Sequence, residues 1–294
     1  MLAQNYLDIK MAKHMSDTSR SSPERAQSKP HNHAIDLAHD LGGAIIFSVP
    51  LLMTMEMWWL GFYMDRWRLA LFLAVAFVVV IALSYFEGGH ETFKIEILDA
   101  LVACAVGYTV AAVILVLFGI VKPGMSVNEI LGKISLQAVP CSIGAILARR
   151  LLDVEETKKE RRRRQWYGAK IFLMGVGAIF LAFQLAPTEE MVLIGHRMTE
   201  WHAVALALIS LGLMQAFICS VERHGRQRMF APDFFWGVFL RYTVVGYSLV
   251  LLISLYVLWT FGRLDGSAAA EIIIAMLVLG FPAAVGAAAS QLVL

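Results

Sequence analysis

Long apolar runs alternate with short polar ones along this chain of 294 residues. A helix needs about 20 mostly apolar residues to cross a bilayer. Seven runs meet that measure: roughly 41–62, 68–86, 97–121, 167–186, 200–221, 235–261 and 270–293. An eighth, roughly 128–151, carries Asn128, Glu129, Lys133 and Gln137 in its first half, and hydropathy alone leaves it open. The pattern predicts an all-α, polytopic membrane protein. Composition agrees: 59% of residues are hydrophobic and 16% charged, with a mean hydropathy of +0.66. A soluble domain is closer to half apolar and a quarter charged. Residues 1–36 are polar and read as a disordered tail. The first apolar run starts late for a signal peptide, and no small-residue cleavage site follows it.

An internal duplication supports the eighth span. "AVPCSIGAILARRLL" from Ala138 and "GFPAAVGAAASQLVL" from Gly280 share Pro-x-x-x-Gly-Ala, with Pro140 and Gly144 answering Pro282 and Gly286. "VGYT" at 106–109 matches "VGYS" at 245–248, Gly124 matches Gly266, and "EI" at 129–130 matches "EI" at 271–272. Earlier, "GAIIF" at 43–47 resembles "GAKIF" at 168–172, and "MDRW" at 64–67 resembles "MTEW" at 198–201. The order is the same in both halves, so 128–151 corresponds to 270–293, which is plainly apolar enough to span. The organisation expected is a tail (1–36), a four-helix repeat (37–152), a basic linker (153–165) and a second four-helix repeat (166–294).

Charge gives the orientation. Cytoplasmic loops are enriched in Lys and Arg. With eight helices, the tail and the loops after the second, fourth and sixth hold 17 of them, against 5 in the opposite loops. Both termini are therefore expected in the cytoplasm, and two units of four helices have the same orientation, as parallel repeats do. A net charge of +2 gives no reason to expect nucleic acid. The run "KKERRRR" at 158–164 marks the cytoplasmic side and suits anionic headgroups of the lipid bilayer. Cys104, Cys141 and Cys219 all lie in apolar runs and read as small buried hydrophobes.

Ionisable residues inside spanning helices are functional candidates by default. Glu56 in "MTMEMWWLGFY" is either an interfacial carboxylate beside Trp58 and Trp59 or a buried site. Glu129, Lys133, Gln137 and Cys141 recur every four residues as one stripe, and Glu129 and Lys133 can pair. The matching stripe in the second half, Glu271, Ala275, Leu279 and Ala283, is nearly apolar. Glu56, Glu129, Lys133 and Gln137 are thus the candidates for a transport path. Asp99 and Arg241 are expected to pair across the two halves; the competing picture has Arg241 snorkelling to the headgroups. Pro140, Gly144, Pro282 and Gly286 serve either helix packing or a hinge. His33, Asp36 and His39 in "HNHAIDLAHD" form a faint metal-binding pattern, with a solvated juxtamembrane segment as the alternative. No catalytic or phosphate-binding motif is present, so neither enzyme chemistry nor a cofactor is expected.

The eight-helix layout, "GGAIIFSVPLLMTMEMWW", the basic mid-chain linker and the paired Pro-x-x-x-Gly-Ala helices resemble the bacterial family of "putative integral membrane proteins" catalogued as domain of unknown function 2391. The resemblance covers about residues 37–294 and implies a bacterial inner-membrane protein. It brings no activity and no site residues. From the residues, two readings remain: a translocator of small solutes or ions, and a non-transporting scaffold or accessory subunit. Substrate and oligomeric state are not written in the sequence.

Overall fold

The structure, a computed structural model, describes residues 33–87, 93–152, 166–223, 236–237 and 239–293. The tail before His33 and the basic run at 158–164 lie outside the described residues. All regular structure among the described residues is helical. In chain order it comprises α1 (His33–Leu52), α2 (Met55–Tyr63), α3 (Arg66–Glu87), α4 (Phe93–Leu117) and α5 (Val127–Leu152). After the linker come α6 (Tyr167–Leu185), α7 (Glu189–Arg197), α8 (Glu200–Arg223), a π-helical segment (Phe239–Val244) that runs on into α9 (Val245–Thr260), and α10 (Ala269–Val293).

Seven of these elements are long and apolar enough to cross a membrane, and they are not the seven that hydropathy favoured. The doubtful polar segment is one of them. Its window has the lowest mean hydropathy, 1.6, yet 83% of it is buried, against 28–44% for the other six. The physical reason is position. α5 packs against α2, α3 and α4, so its polar side chains face protein where other helices face lipid. The predicted first span, 41–62, is instead broken in two at Met53 and Thr54.

Pro50, inside α1, has no N–H to give to the helix ladder. Thr54 then takes an extended conformation, φ −90° and ψ 125°. The carbonyls left over at the break are taken up locally and from a distance. Thr54 donates to Leu51 O from its backbone N–H (3.1 Å) and its hydroxyl (2.8 Å). Trp58 Nε1 donates to Leu52 O at 2.9 Å. The second half breaks at the corresponding place. Pro187 follows α6, Thr188 is extended, and its hydroxyl donates to Leu185 O at 2.8 Å.

The two breaks bring out a pattern that pairwise matching of short words had missed. Leu51, Thr54, Glu56, Met57, Gly61, Met64 and Trp67 recur 134 positions on, without a gap, as Leu185, Thr188, Glu190, Met191, Gly195, Met198 and Trp201. Both tryptophans open a long helix and both face outward, 83% and 84% exposed. That suits a ring at a membrane interface. The same spacing corrects the expected match of "GAIIF" with "GAKIF". Gly43 answers Gly177, not Gly168, because these two glycines make the same contact. A methyl group on Gly43 would strike Ala148 Cβ and the Gly144 carbonyl; one on Gly177 would strike the Gly286 carbonyl and Ser290 Cβ. The repeated Pro-x-x-x-Gly faces of α5 and α10 are therefore where α1 and α6 seat.

Candidate functional site

The first half meets the second mainly along α3, which packs on α6 and α9. Contacts along this seam come in order. At the end that carries the short helices, Arg68 holds Asp265 through two hydrogen bonds of 2.8 Å, and its guanidinium stands 5.1 Å from the centre of the Trp259 ring. One turn further in, Phe72 meets Phe183 (5.1 Å between centroids) and Phe261 (6.0 Å), which are 6.1 Å from each other. Near the opposite end Phe86 lies 5.0 Å from Phe172. Between the two aromatic contacts, about 21 Å apart along α3 at 1.5 Å per residue, the halves line an apolar pocket of about 190 Å³ that opens to the surface beside Leu252. Ala76, Val79, Ile143, Ile179, Leu252 and Tyr256 are among its walls. The Tyr256 hydroxyl is itself inaccessible and adds no polar surface to this pocket.

On the other side of the aromatic cluster lies a second, outward pocket of about 350 Å³. It shares Phe261 with the cluster and is lined by Glu56, Trp59 and Tyr63 of α2, Glu189 at the start of α7, and Arg263. Arg263 also donates to the carbonyl of Pro187 at the second break, while its Nε has no partner. Two carboxylates and one guanidinium thus stand at the mouth of the seam. Asp265 is outside the spans. The hydrogen bonds from Arg68 hold its carboxyl below the usual carboxylate range, and partial desolvation opposes this only in part.

The residues singled out from the sequence fall into two groups. Glu56 lines the outward pocket. The stripe on α5 is engaged elsewhere, on the face of that helix turned toward α2. Glu129 and Lys133 pair at 2.7 Å, Lys133 lies against the backbone of Gly61, and Gln137 Nε2 donates to Leu51 O at 3.3 Å. Gln137 is 1% exposed and its Oε1 has no partner. The stripe braces the broken first helix. Val139 and Ile143, about half a helical turn away, are the α5 residues that reach the cavity. Pro140 and Gly144 are buried. Pro282 is half-buried on α10, and Gly286 is buried against Gly177.

The expected pair of Asp99 with Arg241 is not seen among the contacts of the described residues. Arg241 stands over the ring of Tyr167 at 5.1 Å, and Tyr167 Oη donates to its carbonyl at 2.6 Å. α4, which carries Asp99, packs on α3 and α5, whereas the segment carrying Arg241 packs on α8 and α9. The two elements pack on different neighbours, and the seam between the halves is occupied by α3. The faint metal pattern lies mostly outside the described residues. Among the described residues no three His, Cys, Asp or Glu side chains converge to hold a metal. His39 is half-buried on α1, and the side chains of His33 and Asp36 lie outside the described residues.

Several participants escaped the sequence reading. Phe72, Phe183, Phe261 and Tyr256 are aromatic residues in apolar runs and carry no local signal. Glu96 on α4, 1% exposed, receives a 3.2 Å hydrogen bond from Ser84. In the second half, Thr243 in the π-helical segment donates to Gln215, which in turn lies 3.1 Å from Cys219. The recurring Thr-x-Glu-Met pattern was the one available signal for the α2 and α7 carboxylates.

Compared with known proteins, residues 36–294 match the family described as "Putative integral membrane protein (DUF2391)". No curated protein and no solved structure matches the chain.

Proposed function

Because the chain belongs to the DUF2391 family of integral membrane proteins, we propose that it is a multi-pass translocator of a small solute whose path follows the seam between its halves. α1 is taken as an eighth crossing, cut short by its break. The halves are then two tandem repeats of four spans and one short helix, in the same orientation, with both termini and the basic linker on the cytoplasmic side of a bacterial inner membrane. Supporting this are the gapless recurrence from Leu51 to Trp67, the equivalent Gly43 and Gly177 contacts, and the matched positive φ of Gly119 and Gly262 (67° and 70°) in the connecting turns.

One observation carries the transport reading. An apolar pocket, open beside Leu252, lies within the spans on the boundary between two similar bundles, with aromatic contacts toward either end and a charged pocket beyond one of them. Rocking of one parallel repeat against the other is how such architectures expose a central site alternately to each side. The accessory-subunit reading drew on small-residue faces, and those faces are consumed inside the chain by α1 and α6. Glu129, Lys133 and Gln137 serve packing in this scheme, and Glu56 stands at the outer mouth.

The test is flux into liposomes holding the purified protein, measured over a panel of inorganic ions and small organic solutes. Transport of at least one solute is expected, increased by Phe72→Ala, which thins the outer aromatic contact, and lost in Val79→Trp, which fills the seam. A wild-type protein indistinguishable from empty liposomes across the panel overturns the reading.

A further inference from the structure

The outward pocket has a chemistry that the frame of the fold does not require. It is lined by the buried ring of Phe261 and by one face of α2, where Glu56, Trp59 and Tyr63 follow at spacings of three and four residues. The rings of Trp59 and Tyr63 lie parallel, 5.9 Å between centroids and 6° between planes, and remain 53% and 67% exposed. Trp58 is committed to the break through its bond to Leu52 O, whereas Trp59 makes no hydrogen bond among the described residues. The second half contributes Glu189 and Arg263. Arg263 is already engaged with the Pro187 carbonyl. Neither Glu56 nor Glu189 has an ion-pair or hydrogen-bond partner among the described residues. The gapless recurrence places Glu190, Leu193 and Arg197 where Glu56, Trp59 and Tyr63 stand. One copy of the repeat is thus built without the aromatic pair.

Two carboxylates against one guanidinium leave the pocket with an excess of negative charge, which opposes an anion. A divalent metal is short of ligands, because among the described residues no three His, Cys, Asp or Glu side chains converge. Aromatic faces beside carboxylates suit an alkylammonium group, since the rings attract its charge and accept its methylenes at once. At about 350 Å³ the pocket falls within the range of small-molecule sites, about 300–1,000 Å³. We infer that the outward pocket binds the ammonium group of a small organic cation, held by the rings of Trp59 and Tyr63 and the carboxylates of Glu56 and Glu189. Two sources present that group: a free amine in solution and an amine-bearing lipid headgroup, because exposed tryptophan and tyrosine suit a membrane interface. The binding stands without transport; only the naming of this cation as the translocated solute rests on the reading above.

The experiment uses the full chain in lipid-free maltoside micelles and titrates choline chloride by calorimetry, with sodium chloride at equal ionic strength as reference. Saturable binding of choline, and none of sodium, is expected. Trp59→Leu and Glu56→Gln should each weaken choline about threefold, the worth of one exposed cation–π contact or ion pair. Trp67→Leu, at a more exposed ring that does not line the pocket, should leave choline unchanged. If gel filtration shows Trp59→Leu misfolded, Tyr63→Leu takes its place. Phosphatidylethanolamine added to the micelles separates the sources: competition with choline assigns the site to a headgroup, and an unchanged choline affinity assigns it to a free amine. Choline heats equal to those of sodium, or equal weakening by the Trp59 and Trp67 variants, overturn the site. A protein that binds choline yet moves no solute refutes the path alone, and one that moves solutes without binding choline refutes the site alone.

Discussion

Arg68 and Asp265 are 197 positions apart and joined by two 2.8 Å hydrogen bonds, and this pair ties the first half to the second at the end that carries the short helices. Its counterpart is absent by composition, since the equivalent positions are His202 and Pro123. The latch therefore has no counterpart at the matching sequence positions.

A pH dependence follows from it. Asp265 is held below its ordinary value by Arg68. A carboxyl whose folded value is depressed stabilises the fold above the unfolded value, about 3.9, and that contribution is lost as pH falls through the folded one. The Asp265 side chain is 59% exposed, so screening limits the pair to about 0.5–1 kcal/mol. Thermal unfolding in detergent should show Asp265→Asn less stable than wild type at pH 7. The gap should close below about pH 4. A gap that persists undiminished at pH 3 contradicts the assignment.

Gly177 tests the packing of α6 on α10. Gly177→Ala places a methyl group against the Gly286 backbone, which cannot rotate away. Overpacking of this kind costs about 1–3 kcal/mol, and Gly43→Ala should behave alike. Gly212, in the middle of α8 with nothing within 4 Å of an added Cβ, is the control. Gly212→Ala should be neutral or slightly stabilising in the same melting assay. Equal behaviour of the three variants counts against the close approach.

Glu129 and Lys133 should be worse apart than absent. Their side chains are 19% and 11% exposed. Lys133→Met alone strands a carboxylate beside α2, on the order of 1–2 kcal/mol after allowance for partial exposure. The double variant Glu129→Gln with Lys133→Met should recover most of it. Additive losses in the double-mutant cycle would show that the two charges do not depend on each other.

The proposed eight crossings make a topology prediction. Reporters fused after residues 123, 158, 198 and 230 should read outside, inside, outside, inside. If 158 and 198 report the same side, α6 does not cross; if all four reporters reverse, the orientation is wrong.

Membrane class, the approximate places of the spans, the charge bias and the Pro-x-x-x-Gly faces were all legible in the sequence. Each is local or periodic: a run of apolar side chains, a count of Lys and Arg, a repeated spacing. Hydropathy failed at two helices for a definable reason. It sums transfer tendencies along the chain and has no means of knowing whether a helix faces lipid or protein. α5 tolerates Lys133 and Gln137 because it is the most enclosed of the seven span-length helices, and 41–62 breaks although apolar because Pro50 and Thr54 withdraw it from the ladder. What only the tertiary structure decided is who meets whom across the seam. Arg241 found Tyr167 and Arg68 found Asp265 because α3 lies between the halves where symmetry had suggested α4. The Phe72, Phe183 and Phe261 cluster, and the apolar pocket beside it, exist only where three distant helices converge. No pattern along one helix encodes the shape of the space left between three.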